Sequence, residues 1–461
     1  MNSSAPTLLE TSSLAGLADA LHQLEDGFRD LPGLESVPKD AGGVQATLLE
    51  VAQRLRDNYP YFHPFYAGQM LKPPHPVARL AYALALWINP NNHALDGGRA
   101  SSAMEKEAVA QIAGMFGWLT HLGHLTSGGT MANLEALWIA GQLAPGKTVL
   151  ASSQAHYTHQ RISKVLGLNF EPIPCDTHGR LDAGALQGRL AKGDVGTVVA
   201  TIGTTATGSV DPLPALLDLQ RQFGFRLHAD AAYGGYFGLV DNLRPETSES
   251  FKRLREVDSI VIDPHKHGLQ PYGCGCVLFR DPAVGRFYQH DSPYTYFSSN
   301  QLHLGEISLE CSRPGAAAVA LWATLRLLPL IAGGPFGAML RDGREAALQF
   351  YERLRHDPRF LTGVAPELDI LVWAVRASRV SEASARARRV FAEAARRNLH
   401  LALVELPVTF FNLREATMEP DRATITCLRS ALMKPEHLAW IDSIWALLDE
   451  AAVNSQPKPS N

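Results

Sequence analysis

Between residues 121 and 330 the chain alternates short apolar, often β-branched runs with stretches in which apolar residues recur every three or four positions. The runs predict buried strands at Thr148-Val-Leu-Ala151, Thr197-Val-Val-Ala-Thr-Ile202, Phe225-Arg-Leu-His-Ala229, Ser259-Ile-Val-Ile262 and Gly275-Cys-Val-Leu-Phe279. The longer period predicts helices over 131–142, 159–166, 213–223 and 316–328. Strands separated by helices imply crossover units and a mostly parallel sheet, with the closely joined last pair as the candidate antiparallel neighbours. A ligand of such a sheet lies along its strand ends.

The flanks read differently. Leu14, Leu17, Leu21 and Leu24, then Val44, Leu48, Leu49 and Val51, have helical spacing on either side of a break between Pro32 and Pro38. Too little of that face can close on itself, so it is expected to pack on another domain or subunit. Tyr59 to Met70 holds five aromatics interrupted by prolines that forbid a helix. Those rings are either core anchors under a loop or the wall of a small-molecule pocket. A helix is predicted over 76–87, a turn-rich break over 89–98, and a second helix over 104–116, capped by Ser101 or Ser102 with Glu105 as a first-turn charge. Ile331-Ala-Gly-Gly-Pro335 punctuates the chain. Helices over 338–354, 381–398 and 437–453 follow, with strands at 368–375, 401–404 and 423–428. The expected organisation is an N-terminal helical segment (1–75), a large α/β domain (76–330), a smaller α+β domain (331–453) and a disordered tail (454–461).

Composition narrows the function. With 461 residues, 46% of them hydrophobic and 19% charged, the chain is an ordinary globular protein. A formal net charge of −4 gives no basic face for nucleic acid. The five cysteines lack metal-ligand spacing and suit a reducing compartment, and the glycine in Cys274-Gly-Cys276 reads as part of a strand. No metal site is expected. No apolar run has the length of a membrane span and no basic-then-apolar leader opens the sequence, so a cytoplasmic protein without membrane association is expected.

Candidate chemistry gathers where the predicted strands end. Asp263-Pro264 stops a strand, and Lys266 follows between His265 and His267, placed to form an imine with an aldehyde cofactor. Ser127-Gly-Gly-Thr130 precedes a helix; glycines that admit an anion, free N–H groups and hydroxyls make a phosphate cup, or simply a capped glycine loop. Asp230 ends a strand with nothing basic beside it and needs a partner, for which a protonated pyridine nitrogen serves, or it is simply a metal ligand or a turn aspartate. Thr204 and Thr205 end another, and His156 a further one, its imidazole able to stack on a planar ring. Together these supply what pyridoxal 5′-phosphate requires: a phosphate cup, a ring-nitrogen carboxylate, a stacking ring and an imine lysine.

The segments Thr126-Ser-Gly-Gly-Thr-Met-Ala-Asn133, Gln154-Ala-His156, Gly203-Thr-Thr-Ala-Thr-Gly-Ser-Val-Asp-Pro212, His228-Ala-Asp-Ala-Ala-Tyr233 and Asp263-Pro-His-Lys266 resemble the group II pyridoxal-phosphate amino-acid decarboxylases, and most of all their archaeal tyrosine/aspartate branch. The resemblance implies an aspartate-aminotransferase-like (type I) fold and a homodimer with the active site at the interface. It also implies that Lys266 is the Schiff-base lysine, Asp230 the pyridinium partner and His156 the stacking ring, with Thr205 nearby and Gly129, Thr130 and His265 on the phosphate. Tyr294, with Tyr296 as a rival, matches the loop tyrosine that helps protonate the carbanion, and Arg313 matches an arginine that meets the substrate carboxylate. Ala229, Met131 and His267 depart from the family pattern, His267 by placing a titratable ring beside the imine.

The expected reaction is decarboxylation of an L-amino acid to its amine and carbon dioxide, with an aromatic, tyrosine-like substrate first and an acidic one, aspartate or glutamate, as the alternative. Tyr61, Phe62, Phe65 and Tyr66 favour an aromatic side chain if they line the pocket; Arg99 or Arg313 would recognise a distal carboxylate. The rivals are a carbon–carbon lyase of the sphingosine-phosphate type or an aminotransferase on the same cofactor, and a non-catalytic relative that keeps only the fold.

Overall fold

The structure is a computed structural model that describes residues 8–33, 40–93, 97–289 and 307–455. Tyr294, Tyr296 and the expected tail from 456 onward lie outside the described residues.

Four helices come first: α1 (Leu14–Asp26), α2 (Ala41–Leu55), α3 (Pro76–Ala85) and α4 (Arg99–Met115). Then strands and helices alternate as β1 (Leu122–Thr126), α5 (Gly129–Leu143), β2 (Thr148–Ser152), α6 (Thr158–Val165), β3 (Asn169–Ile173), α7 (Ala183–Leu190), β4 (Val195–Thr201), α8 (Leu213–Phe223), β5 (Arg226–Asp230), α9 (Pro245–Arg253), β6 (Ser259–Ile262), β7 (Gly275–Phe279) and α10 (Gly315–Leu327). The seven strands form one sheet in the order β1-β7-β6-β5-β4-β2-β3. Pairs β3 through β6 are parallel, whereas β7 runs antiparallel to both β6 and β1. Hence the C-terminal ends of β1, β2, β4, β5 and β6 share one edge.

Local chemistry explains the elements. Helix α8 opens on Pro214 within its first turn, buries Leu213, Leu216, Leu217 and Leu219, and ends at Gly224, whose φ of +73° suits a residue without Cβ. Asp182 caps α7 by accepting from the N–H groups of Gly184 (2.9 Å) and Ala185 (3.0 Å). The central strands carry uninterrupted apolar runs because helices cover both faces, and Val198, Leu227, Ile260 and Leu278 are fully buried.

After α10 come α11 (Pro335–His356), β8 (Phe360–Thr362), β9 (Ile370–Val375), α12 (Val380–Arg396), β10 (Ala402–Pro407), β11 (Thr424–Ala431) and α13 (His437–Asn454). Their strands make an antiparallel sheet in the order β10-β11-β9-β8, and Phe350, Trp373, Leu428 and Ile444 fill the space between sheet and helices. The fold is therefore the expected α/β type, a mostly parallel sheet followed by a smaller α+β portion.

Several elements escaped the pattern, each for a reason. Strand β3 is a half-exposed edge carrying Glu171 and Pro172, so it lacks an apolar run. Helix α9 buries only Thr247, Ser250 and Phe251. Helix α4 starts at Arg99, so Ser101 and Ser102 are buried inside it and do not cap it. Glu105 is likewise no surface cap: it is buried and accepts from Asn92 Nδ2 (2.6 Å), the Leu125 N–H (2.9 Å) and Arg313 Nη1 (2.6 Å).

Candidate active site

The shared strand edge opens into a cavity of about 340 Å³. Its lining takes Ser127 to Met131 from the β1–α5 junction, His156 and Thr158 from the start of α6, Thr201 from the end of β4, and Gly203 and Thr205 from beyond it. From beyond β5 and β6 come Asp230, Ala232, Tyr233, Asp263, His265 and Lys266. Eight of the residues singled out from sequence are thus brought to one place: Ser127, Gly129, Thr130, His156, Thr205, Asp230, His265 and Lys266.

Helix α5 points its N-terminus into this cavity with no side chain capping it, and Gly128, at φ +154°, turns the chain into it. A Cβ on Gly129 would sit 2.6 Å from Asp263 Oδ2 and would displace that carboxylate. Uncapped N–H groups at the positive end of a helix are the donors a phosphate takes. The Ser127 N–H is already given to Glu310 Oε2 at 2.8 Å.

Lys266 Nζ lies 3.0 Å from Asp263 Oδ2, and His265 Nε2 lies 3.6 Å from the same oxygen. Asp263 Oδ1 and His265 Nδ1 are buried without a hydrogen-bond partner among the described residues. Burial pushes the His265 pKa down, with Asp263 pulling it back. At the far strand end, Asp230 Oδ1 accepts the Ala232 N–H (3.1 Å) and Oδ2 faces His159 Nε2 (2.8 Å). Burial alone would raise the Asp230 pKa, but the His159 hydrogen bond and the Lys266 charge outweigh it and hold the carboxyl well below its usual range. His156 Nδ1 contacts Thr158 Oγ1 (2.7 Å) and accepts the Thr158 N–H (3.4 Å), so in the neutral ring Nε2 carries the hydrogen. Burial lowers the His156 pKa as well.

An anionic carboxylate at a strand end, a lysine at the next, a ring histidine lining the same cavity and an uncapped helix terminus with orphaned polar atoms beside it fit pyridoxal phosphate. No group of acidic, histidine or cysteine side chains among the described residues is placed to hold a metal ion.

A family model described as the pyridoxal-dependent decarboxylase conserved domain matches residues 137–374, just over half of the chain. The chain belongs to the pyridoxal-dependent decarboxylase family. Among relatives, an L-tyrosine decarboxylase of Enterococcus faecium is 28% identical over 406 residues, covering 66% of this chain and 66% of its own length. A probable L-aspartate decarboxylase of Halobacterium salinarum is 34% identical over 264 residues (57% of this chain, 70% of its own), and the L-aspartate decarboxylase of Thermococcus kodakarensis 28% over 337 residues (72% and 85%). The fold matches that of Oryza sativa TDC with PLP and tryptamine, with a TM-score of 0.78 at 19% identity, covering 98% of this chain and all of that one. This decarboxylase is an enzyme that uses pyridoxal 5′-phosphate, and its substrate is an amino acid.

Other expected residues of the decarboxylase lie elsewhere. Arg313 is buried on Glu105 and on the carbonyls of Leu125 (2.6 Å) and Asn92 (3.4 Å), outside the cavity lining. Phe65 packs edge-on against Trp440 (5.2 Å) and Tyr61 against Tyr66 (4.9 Å), and neither ring is in the cavity lining. His267 is buried, its Nε2 3.2 Å from Asp369 Oδ2, and burial pushes its pKa down against the pull of that carboxylate.

Sequence reasoning missed three groups. Asp263 was read only as a turn, although it ends the lysine's own strand. Tyr233 lines the cavity while its hydroxyl donates to Asp369 Oδ1 (2.6 Å), a partner 136 positions away that no local pattern shows. Arg429 is buried beside Gln69 Oε1 (3.2 Å), within electrostatic reach of Tyr233, and its Nε and Nη2 have no hydrogen-bond partner among the described residues.

Proposed function

We propose that the substrate is an acidic L-amino acid of the aspartate class, and that Arg429 meets one of its carboxylates in place of Arg313. The observation that carries this reading is the Arg429 guanidinium, buried with two nitrogens unsatisfied; a buried donor left unpaired calls for an anion. Two lysines stand nearby, the half-buried Lys72 and the buried Lys434, while the neighbouring buried carboxylate, Asp369, is already engaged by Tyr233 and His267. Arg429, Tyr61 and Phe65 all stand outside the cavity lining, but Arg429 is within electrostatic reach of Tyr233, which lines it, whereas Tyr61 and Phe65 pack on Tyr66 and Trp440. The names of the H. salinarum and T. kodakarensis relatives agree with this reading, and that of the E. faecium relative keeps tyrosine as the second one.

The chain's own groups have these roles. Lys266 Nζ is the amine that would hold the cofactor's aldehyde carbon. Gly129 and Thr130, through α5 N–H groups, hold the phosphate with Ser127 and His265, and Thr205 lies near the ring. His156 stacks on the ring, and Asp230 keeps its nitrogen protonated. Bound pyridoxal phosphate supplies an electron-withdrawing ring that accepts the electron pair left when carbon dioxide departs. His156 Nε2 or the Tyr294 hydroxyl returns a proton to Cα.

We also propose a homodimer, with segment 1–75 as its contact and the active site at the interface. In support, α2 exposes Val44, Leu48, Leu49, Val51 and Leu55, a continuous apolar face. A cytoplasmic location accords with five free cysteines, and no helix among the described residues is long and apolar enough to cross a membrane.

The substrate reading is tested by comparing kcat/KM for aspartate and tyrosine. Aspartate is expected to win by at least about 100-fold, the worth of one charge-assisted hydrogen bond pair, and Arg429→Met to raise KM. A preference for tyrosine, with Arg429→Met silent, transfers the assignment to the aromatic class.

A further inference from the structure

His159 had no role beyond opening a helix, yet its ring is fully buried and its Nε2 lies 2.8 Å from Asp230 Oδ2. An ionised carboxylate can only accept, so Nε2 carries the hydrogen. Nδ1 has no hydrogen-bond partner among the described residues, which costs less as a bare lone pair than as a buried N–H. His156 and His159 stand three positions apart, and the His159 N–H donates to the His156 carbonyl at 3.1 Å. One turn at the start of α6 therefore brings one ring to the cavity and the other to the carboxylate behind it.

The other charged or titratable groups around Asp230 are committed elsewhere. Lys266 is on Asp263 at 3.0 Å. His228, whose ring is 6.5 Å from that of His159, contacts Asn133 Oδ1 (2.8 Å) and Ser259 Oγ (2.9 Å), and burial pushes its pKa down to about 3, so it stays neutral. His156 is bound to Thr158. Among the described residues, His159 is the one side chain that donates a hydrogen bond to Asp230.

We propose that His159 is a positioning residue: its Nε2–H fixes Asp230 as an anion, in the orientation that keeps the cofactor's ring nitrogen protonated. The inference rests on the reading of this cavity as the pyridoxal-phosphate site. It separates His159 from a ring that merely fills the core, because a filler contributes nothing to the protonation of the cofactor.

The test uses the full chain reconstituted with pyridoxal phosphate labelled with ¹⁵N in the ring, whose chemical shift reports the ring proton, together with cofactor affinity measured by fluorescence quenching. His159→Leu is expected to lose the protonated-ring signal at a lower pH than wild type and to bind the cofactor roughly 10- to 100-fold more weakly, the worth of one hydrogen bond to a charged group. His159→Gln, whose amide nitrogen falls near the place of Nε2, is expected to restore both. If His159→Leu does not fold, the His159 Nε2–H resonance of ¹⁵N-histidine-labelled wild type decides: it should shift on cofactor uptake. A His159→Leu protein with wild-type affinity and ring signal, or a resonance unmoved by cofactor, overturns the proposal alone. A wild type that takes up no cofactor overturns the site reading and this inference with it.

Discussion

Replacing Arg313 with methionine separates a structural arginine from a substrate-binding one. The guanidinium is buried, its Nη1 shared between Glu105 Oε1 and the Leu125 carbonyl, both at 2.6 Å. Removing it leaves a buried carboxylate without a counter-charge, a change worth about 3–5 kcal/mol. Glu105 keeps two donors, Asn92 Nδ2 and the Leu125 N–H, so the lower end applies, about 3 kcal/mol. For a chain of this size that corresponds to a fall in apparent Tm of roughly 5 °C. Removing the glutamate too should recover much of the loss, since an apolar pair of similar volume replaces a buried ion pair at little net penalty. The assay is a thermal melt of Arg313→Met, Glu105→Leu and the double variant, analysed as a cycle, with KM for the preferred amino acid measured alongside. The expected result is a lowered Tm, a coupling above about 1 kcal/mol and a nearly unchanged KM. An unchanged Tm with a sharply raised KM would refute the reasoning and return Arg313 to the substrate.

Lys266→Ala should abolish the visible absorbance of the cofactor–lysine linkage and reduce turnover by at least about 1000-fold, as loss of a covalent nucleophile does; a retained yellow linkage would contradict its assignment. Gly129→Ala places a Cβ 2.6 Å from Asp263 Oδ2, so cofactor titration should show weaker binding while far-UV circular dichroism stays unchanged. Burial lowers the pKa of Lys434 to about 7 and of Lys72 to about 8. Each binds its proton less tightly folded than unfolded, so from about pH 7 to the unfolded lysine value near 10.4 the unfolded chain holds more protons and stability rises with pH. Lys434→Met should flatten that rise in urea melts, and a slope identical to wild type would show that Lys434 titrates normally.

What could be read from the sequence was what strand ends and turns determine locally. Asp230, His156, Thr205 and Lys266 each stand at or just past the end of a strand that the apolar pattern marks, and the Ser127–Thr130 loop was legible as the start of a helix although the strand before it, β1, was not; a parallel sheet brings such ends to one edge. What could not be read depends on partners far along the chain. Arg313 and Glu105 are 208 positions apart, and their pairing turns an apparent helix cap and an apparent substrate arginine into one buried ion pair. Tyr61 and Phe65 look like a pocket wall until the α13 residue Trp440 and the neighbouring Tyr66 are seen to occupy them. His159 left a trace, a second histidine one helical turn after the first, but its role appears only once β5 brings Asp230 against α6.

The central claim is that this cavity removes carbon dioxide from an amino acid. The direct measurement is release of labelled carbon dioxide from a panel of carboxyl-labelled amino acids by the purified protein with pyridoxal phosphate, with amine quantified in the same samples. Equal amounts of carbon dioxide and amine from one member, aspartate foremost, are expected. Cofactor uptake with no carbon dioxide from any member, and keto acid formed instead, would contradict the account.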